Sequence, residues 1–212
     1  MKASDWDARF AGDDYFYGVA PNDFLAAHAG TIPAGPVLCL AEGEGRNAVH
    51  LATLGREVTA VDQSAAGLAK AGRLAAGRGV RLHLVQADLA HYALGELAWA
   101  GIVWIFLHLP PARRRDLLGR VVAGLAPGGV LVLEVYSPAQ LARGTGGPRE
   151  PDRLASLIDV QADLPGMEFL VAREIEREIC EGVGHHGLSA VVQVLARKAG
   201  LRAGAPAGLI RP

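Results

Sequence analysis

From residue 36 onward, apolar runs alternate with mixed stretches in a regular way. Pro36-Val37-Leu38-Cys39-Leu40-Ala41 is continuously apolar, the pattern of a parallel strand buried on both faces. The turn Glu42-Gly43-Glu44-Gly45 leads into a predicted helix over 46–54. A second strand is predicted over 57–62, followed by an alanine-rich helix that Ser64 would cap and that reaches residue 78. Strands follow over 80–86 and 102–107. Pro110 and Pro111 open a helix reaching residue 125, at a position where proline is tolerated. Pro127-Gly128-Gly129 reads as a turn before a fifth strand over 130–136.

Such alternation of strand and helix predicts right-handed βαβ crossovers and a parallel sheet. The remainder of the chain follows a different pattern. Residues 137–151 are rich in Gly and Pro, a loop long enough to suggest function, and a helix is expected over 152–163. Two strand-like runs, 169–180 and 188–196, are separated only by 181–187, which leaves no room for a helix. They must pair as an antiparallel hairpin. At the other end, residues 1–20 crowd Trp6, Phe10, Tyr15, Phe16 and Tyr17 together and read as neither amphipathic helix nor linker. A short helix over 22–30 follows, opened by Pro21 and Asn22.

The expectation is one α/β domain over 1–212, with a doubly wound, mostly parallel seven-stranded sheet ending in an antiparallel hairpin. Residues 1–30 form an N-terminal lid, 36–136 a ligand-binding core, and 137–212 the acceptor side. Its 212 residues, half of them apolar, suffice for such a core. A formal net charge of −1 gives no global basic field, so nucleic acid is not an expected partner. Arg113-Arg114-Arg115 reads as the solvated start of a helix. Two distant cysteines, Cys39 and Cys180, argue against a disulfide framework or a thiolate zinc site. No apolar run approaches the ~20 residues of a membrane span, and the first residues lack the apolar region of a signal peptide. The cytoplasm is the expected compartment, with no membrane partner.

Three acids carry the chemistry. Glu42 follows the first strand, Asp62 ends the second and Asp88 follows the third. In an open parallel sheet the ligand crevice lies beyond the carboxyl ends of the strands, so all three are expected to project into one crevice. Gly43 and Gly45 would let ligand atoms approach the backbone. The N–H groups of Arg46 and Asn47 would point at the same place. Asp62 lies about twenty residues past the turn, where a ribose acceptor is expected, and Asp88 is placed for an adenine amino group. A pyrophosphate would meet Glu42 and Glu44 at the turn, at a cost of about 1 kcal/mol or more per pair at ~4 Å. A cationic nucleoside would not. This charge pattern favours S-adenosylmethionine over NAD.

The run Val37-Leu38-Cys39-Leu40-Ala41-Glu42-Gly43-Glu44-Gly45-Arg46-Asn47 resembles motif I of the class I S-adenosylmethionine-dependent methyltransferases. It is closest to the group related to tellurite-resistance and thiopurine methyltransferases. Residues 17–25, 125–134, 144–148 and 181–185 are similar to other segments of that group. The resemblance implies that Glu42 and Gly43 meet the methionine end of the cofactor. Asp62, with Gln63 beside it, would hold the ribose, and Asp88 and the backbone of Leu89 the adenine. Phe106 would offer its carbonyl to the cofactor ammonium, and Tyr17 would close over the carboxylate. One departure is Gly101, where many members of the group carry an acid. The implied reaction is methyl transfer to a small-molecule acceptor, with thiol, selenium and tellurium species as candidates. An NAD-linked oxidoreductase and a non-catalytic S-adenosylmethionine-binding module are the alternatives. His108, just past the fourth strand, is the candidate base or acceptor contact. His185 and His186 lie in the hairpin loop near Glu181; a loop pair without further ligands is expected on the surface, with facing the acceptor or coordinating a metal as the alternatives.

Overall fold

A computed structural model describes residues 2–200. Its elements in chain order are α1 (Ala3–Arg9), α2 (Asp23–His28), β1 (Val37–Leu40), α3 (Arg46–Thr53), β2 (Val58–Asp62), α4 (Ala65–Gly77) and β3 (His83–Gln86). There follow β4 (Trp99–Ile105), α5 (Pro111–Gly124), β5 (Leu125–Tyr136), α6 (Leu157–Ala162), β6 (Met167–Glu181) and β7 (His185–Lys198). The seven strands form one sheet in the order β3-β2-β1-β4-β5-β7-β6. β1 to β5 run parallel; β7 is antiparallel to both β5 and β6.

β1 lies between β2 and β4, with Val37 level with Val58 on one side and Gly101 on the other. Its four residues are all buried, so the two-residue period of a strand sends them into two cores. Leu38 and Leu40 join Ile102, Trp104, Leu131 and Leu133 under α5 and α6. Val37 and Cys39 join Val58, Ala60, Val103 and Val132 under α2 and α3. The crossovers leave β1 in opposite directions, so the carboxyl end of β1 is a switch point, where open sheets of this type bind ligands.

The hairpin forms as the sequence predicts, and the burial pattern explains which strand lies inside. From Ser189 to Ala196 every residue of β7 is buried, as a strand covered on both faces requires. β6 alternates charged and half-buried residues, which suits a sheet edge. The strands are longer than predicted, and only Gly182-Val183-Gly184 separates them. His185 and His186 therefore belong to β7, and their alternation sends His185 inward and His186 outward.

Other expectations need correction. The N-terminal segment contains a helix, α1, whose Trp6 and Phe10 stack at 5.7 Å; the i,i+4 spacing of these rings was its signal. The predicted helix over 152–163 is a 3₁₀ turn at Pro151–Arg153 followed by α6. Arg114 is not solvated: it is buried against Asp163 at 2.8 Å, and Arg115 shares the same carboxylate. Pro127-Gly128-Gly129 lies within β5 as a bulge, because pairing steps from Trp99↔Leu125 to Gly101↔Val130. The predicted cap holds: Ser64 Oγ accepts from Gly67 N at 3.0 Å.

Gly101 has a packing reason. A Cβ there would stand 2.5 Å from Ile32 Cγ2, so a larger side chain at this position would displace the turn after α2. Gly101→Ala is expected to cost about 1–3 kcal/mol through overpacking, measurable by chemical denaturation.

Candidate functional site

The turn after β1 has an unusual backbone. Ala41, Gly43 and Gly45 all have positive φ, at 49°, 60° and 91°. Gly45 is also sterically required, since a Cβ would lie 2.5 Å from that of Ala71 in α4. This winding turns the backbone amides of the turn and of the first turn of α3 inward, and the chain's own carboxylates bind them. Glu42 Oε1 accepts from Asn47 N at 2.9 Å and Ala48 N at 2.8 Å. Asp62 Oδ2 accepts from Gly43 N at 2.8 Å, and Oδ1 accepts from Ser64 N at 2.8 Å. The Asn47 amide, expected to face a ligand, is thus already occupied by Glu42.

The charges differ from a simple count of acids. Glu44, which the sequence places at the turn as a repelling charge, is paired with Lys70 Nζ at 2.6 Å and accepts from Tyr17 N at 3.2 Å. Burial pushes the Glu42 carboxyl up to about 7, partly opposed by the Ala48 amide, the Arg46 charge and the Asn47 amide. Asp62 is also raised by burial, against the amides of Ser64, Gly43 and Gln63.

The N-terminal segment lies over this turn. Asp7 Oδ1 accepts from Ser64 Oγ at 2.6 Å and from Ala66 N at 3.1 Å, adding a negative charge at the start of α4. The Phe10 ring covers both Gly43 and Gly67: a Cβ on either glycine would meet it at 3.3 and 3.0 Å. Tyr15 donates to Lys70 O, and the Tyr17 hydroxyl accepts from Arg9.

Beside the turn is a buried polar network of a kind that sequence spacing cannot disclose. Glu134 of β5 is fully buried and accepts from Asn22 Nδ2 at 3.0 Å, Arg177 at 2.5 Å and Gln193 Nε2 at 2.5 Å. Glu181, at the end of β6, accepts from Asn22 Nδ2 at 2.9 Å, Arg177 at 3.1 Å and Arg46 at 2.5 Å. Asn47 Oδ1 accepts from Asn22 N at 2.9 Å. Arg46 and Asn47 thereby tie α3 to the hairpin and to the N-terminal segment. Burial alone would raise the Glu181 carboxyl, but the neighbouring His185 and Arg46 outweigh it and hold it at about 2.

The carboxyl ends of β4 and β5 carry a cluster of rings. Phe106 follows β4 with φ 52°, a conformation costly for a non-glycine residue. It stacks on Tyr136 with centroids 4.7 Å apart, and His108 stacks on the same ring at 5.4 Å. His185 meets Phe106 at 4.4 Å, Tyr17 at 4.6 Å and Tyr136 at 5.5 Å, the last edge-on. Burial, with the His185 charge beside it, pushes His108 down to about 3, partly opposed by a backbone hydrogen bond with Arg153. His108 is therefore neutral near pH 7 and a weak base. Burial also lowers His185, but Glu181 opposes that shift.

The structure thus brings together Tyr17, Glu42, Gly43, Gly45, Arg46, Asn47 and Asp62, with Phe106 and His108 in the adjoining ring cluster. Asp88 stands apart. It is exposed, its Oδ1 accepts from Ala90 N at 2.9 Å, and His91 lies 3.8 Å away. Leu89 packs against the apolar core, and its carbonyl accepts from Arg120 at 2.8 Å. Gln63 is half-buried, and its carbonyl accepts from Gln86. Tyr136, Glu134, Arg177 and Glu181 are functional candidates that sequence reasoning missed. The place of Glu134 and Tyr136 at the end of a predicted strand was the legible signal; the Glu134↔Gln193 pairing came only with the sheet.

Glu42 has its folded value raised above 4.5, so it favours the folded state below about pH 4.5 and loses that contribution as pH rises to about 7. Glu42→Gln keeps an oxygen for the two amides but cannot ionise. The melting-temperature difference between wild type and this variant should therefore move against wild type from pH 4.5 to 7.5. Glu181→Ala leaves Arg46 buried without its carboxylate and should cost about 3 kcal/mol. Asp23→Ala removes only an exposed partner of Arg177 and should cost under about 1 kcal/mol; denaturant titration separates the two.

Comparison with known proteins places this geometry. Residues 37–129 match a family model described as a methyltransferase domain. No curated protein matches the chain in sequence. Among solved structures, one determined for the conversion of a disulfide bond into a thioacetal group during echinomycin biosynthesis superposes with a TM-score of 0.75 at 19% identity. The match covers 95% of this chain and 93% of that one. The N-methyltransferase NodS from Bradyrhizobium japonicum WM9, in complex with S-adenosylhomocysteine, superposes with a TM-score of 0.66 at 16% identity, over 92% and 97% of the two chains. TehB from Haemophilus influenzae gives 0.66 at 20% identity, over 83% of this chain and 61% of that one. The chain has the Rossmann-like methyltransferase fold, and residues 37–129 carry its match to the methyltransferase domain family.

Proposed function

We propose that this protein transfers a methyl group from S-adenosylmethionine to a small-molecule acceptor. The observation that carries the reading is the capture of the turn amides by Glu42 and Asp62. A dinucleotide site needs amides at the glycine turn and the helix N-terminus free to bind pyrophosphate. Here Gly43 N, Asn47 N and Ala48 N already donate to carboxylates. A phosphate would have to displace buried acids and then stand beside them. A nucleoside with hydroxyl and ammonium donors meets the opposite situation, because each Asp62 oxygen accepts a single amide and retains a lone pair.

Asp62 is the residue to bind the ribose hydroxyls, and Glu42 holds the turn in shape beside the methionine end through its bonds to the Asn47 and Ala48 amides. Gly43 and Gly45 keep the turn free of side chains. Arg46 and Asn47, anchored through Glu181 and Asn22, fix the start of α3. Bound there, S-adenosylmethionine supplies a methyl group on a cationic sulfur, already a good leaving group. The protein's part is then to align the acceptor and exclude water. The N-terminal segment is the cover: α1, held by Asp7 and Phe10, lifts to admit a ligand to Asp62 and closes again over it. Sulfur is the favoured acceptor among the thiol, selenium and tellurium candidates, in keeping with the disulfide chemistry of the echinomycin-pathway neighbour.

Calorimetry tests the cofactor. S-adenosylhomocysteine should bind and NAD should not, and Asp62→Ala should weaken S-adenosylhomocysteine at least tenfold. NAD binding more tightly than S-adenosylhomocysteine would overturn the reading. Transfer of labelled methyl to a panel of thiol, selenium, tellurium and amine compounds tests the reaction.

A further inference from the structure

Away from the glycine turn and its carboxylates, a cavity of about 310 Å³ opens beside α3. Val19 and Pro21 line it from the N-terminal segment, Val49, His50 and Thr53 from α3, and Arg78 from the end of α4. The volume lies at the small end of the range for ligand sites, roughly 300–1,000 Å³. None of these side chains takes part in the bonds that hold Glu42, Asp62, Glu134 or Glu181.

We propose that this cavity is a second ligand site, that it takes a small carboxylate on a short branched aliphatic chain, and that its occupant strengthens cofactor binding in the crevice. The coupling to the cofactor rests on the methyl-transfer reading above; the site does not.

Two donors and an apolar wall set the ligand class. Arg78 is exposed, and its backbone N–H closes α4 on Leu74 and Ala75. A cation is favoured at a helix C-terminus, but among the described residues no acid pairs with this guanidinium, and no acidic residue lines the cavity. His50 Nε2 is buried without a hydrogen-bond partner, a costly state that a ligand oxygen would relieve. Burial lowers the His50 imidazole from its ordinary value, so near pH 7 it is neutral and carries one N–H. Thr53 Oγ1 already donates to His50 O at 2.6 Å and adds no donor. A guanidinium fork and an N–H suit the two oxygens of a carboxylate. The rest of the lining is apolar: Val49 is buried, whereas Val19 is exposed. A short branched chain would cover Val19 from water, and an inorganic phosphate would leave it wet.

The cavity is bounded by the two segments that the buried network joins. Arg46 donates to Ala20 O at 3.5 Å, and Asn22 N donates to Asn47 Oδ1 at 2.9 Å. Residues 20–22 are thus tied to the first turn of α3. That turn also carries the Asn47 and Ala48 amides that hold Glu42. Tyr17, two residues before Val19, donates its N–H to Glu44. A ligand touching both Val19 and α3 therefore favours the N-terminal segment in the place where it covers the glycine turn. Binding free energies are linked, so the cofactor must strengthen carboxylate binding by the same factor.

The full-length protein is titrated with 4-methylpentanoate by calorimetry, with and without S-adenosylhomocysteine. Saturable binding is expected in both cases. The neutral 4-methylpentanamide and inorganic phosphate should each bind at least ~tenfold more weakly, the amide having lost its charged hydrogen bonds. His50→Leu should weaken 4-methylpentanoate about fivefold or more. Arg78→Glu should abolish its binding. Without the carboxylate, Arg78→Glu should hold S-adenosylhomocysteine within about twofold of wild type, as expected for a distant site, which also reports that it folds. Saturating 4-methylpentanoate should tighten S-adenosylhomocysteine about fivefold in wild type and leave Arg78→Glu unchanged. Failure of wild type to bind S-adenosylhomocysteine would sink the cofactor reading and the coupling, while the titration without it still decides the site. No saturable binding of 4-methylpentanoate, equal binding of the amide, or undiminished binding by Arg78→Glu would overturn the site. An S-adenosylhomocysteine affinity indifferent to bound 4-methylpentanoate would overturn the coupling.

Discussion

Two buried carboxylates hold the backbone amides of the turn between β1 and α3, and the ligand chemistry of the crevice depends on that arrangement. Glu42 binds the amides at the start of α3, and Asp62 bridges the turn to the start of α4. Amides at a helix N-terminus are ordinarily an anion site. With the chain's own Glu42 and Asp62 seated on them, the crevice presents acceptor lone pairs in place of free amides. The same bonds shape the turn, since the positive φ angles of Ala41, Gly43 and Gly45 are the conformations that aim those amides inward.

A second buried system connects this turn to the far end of the chain. Glu134 and Glu181 hold Arg177, and Glu181 also holds Arg46, the first residue of α3. Asn22 bonds to both carboxylates and to Asn47. The parallel half of the sheet, the terminal hairpin and the N-terminal segment therefore meet at one point. Buried ion pairs contribute little net stability against an apolar alternative, but removing one partner is costly. Their effect here is positional: they set the hairpin tip, and with it His185, against Tyr17, Phe106 and Tyr136.

Much of the fold was legible because it follows from short-range patterns. The continuous apolar run of β1 marked a strand buried on both faces, and Ser64 marked a helix start. The seven residues between the last two runs left room only for a hairpin. Asp62 was legible from its distance to the glycine turn. The α1 helix was not, because its short amphipathic face of Trp6 and Phe10 is completed only by packing on Gly43 and Gly67. The repulsion assigned to Glu44 was misjudged for a similar reason: Lys70, twenty-six residues away, neutralises it. Asp88 has the right place after β3, but its side chain turns to its own loop.

The sequence by itself determined the order of strands and helices, the antiparallel ending, and the presence of acids at the carboxyl ends of β1 and β2. These are consequences of local periodicity, turn chemistry and spacing, which act over a few residues. Only the tertiary structure decided that β7 lies inside β6, that Arg114 and His185 are buried while Asp88 is exposed, and which carboxylate neutralises which cation. Those outcomes depend on desolvation and on charges brought together from distant parts of the chain, and neither exists until the sheet has closed around them.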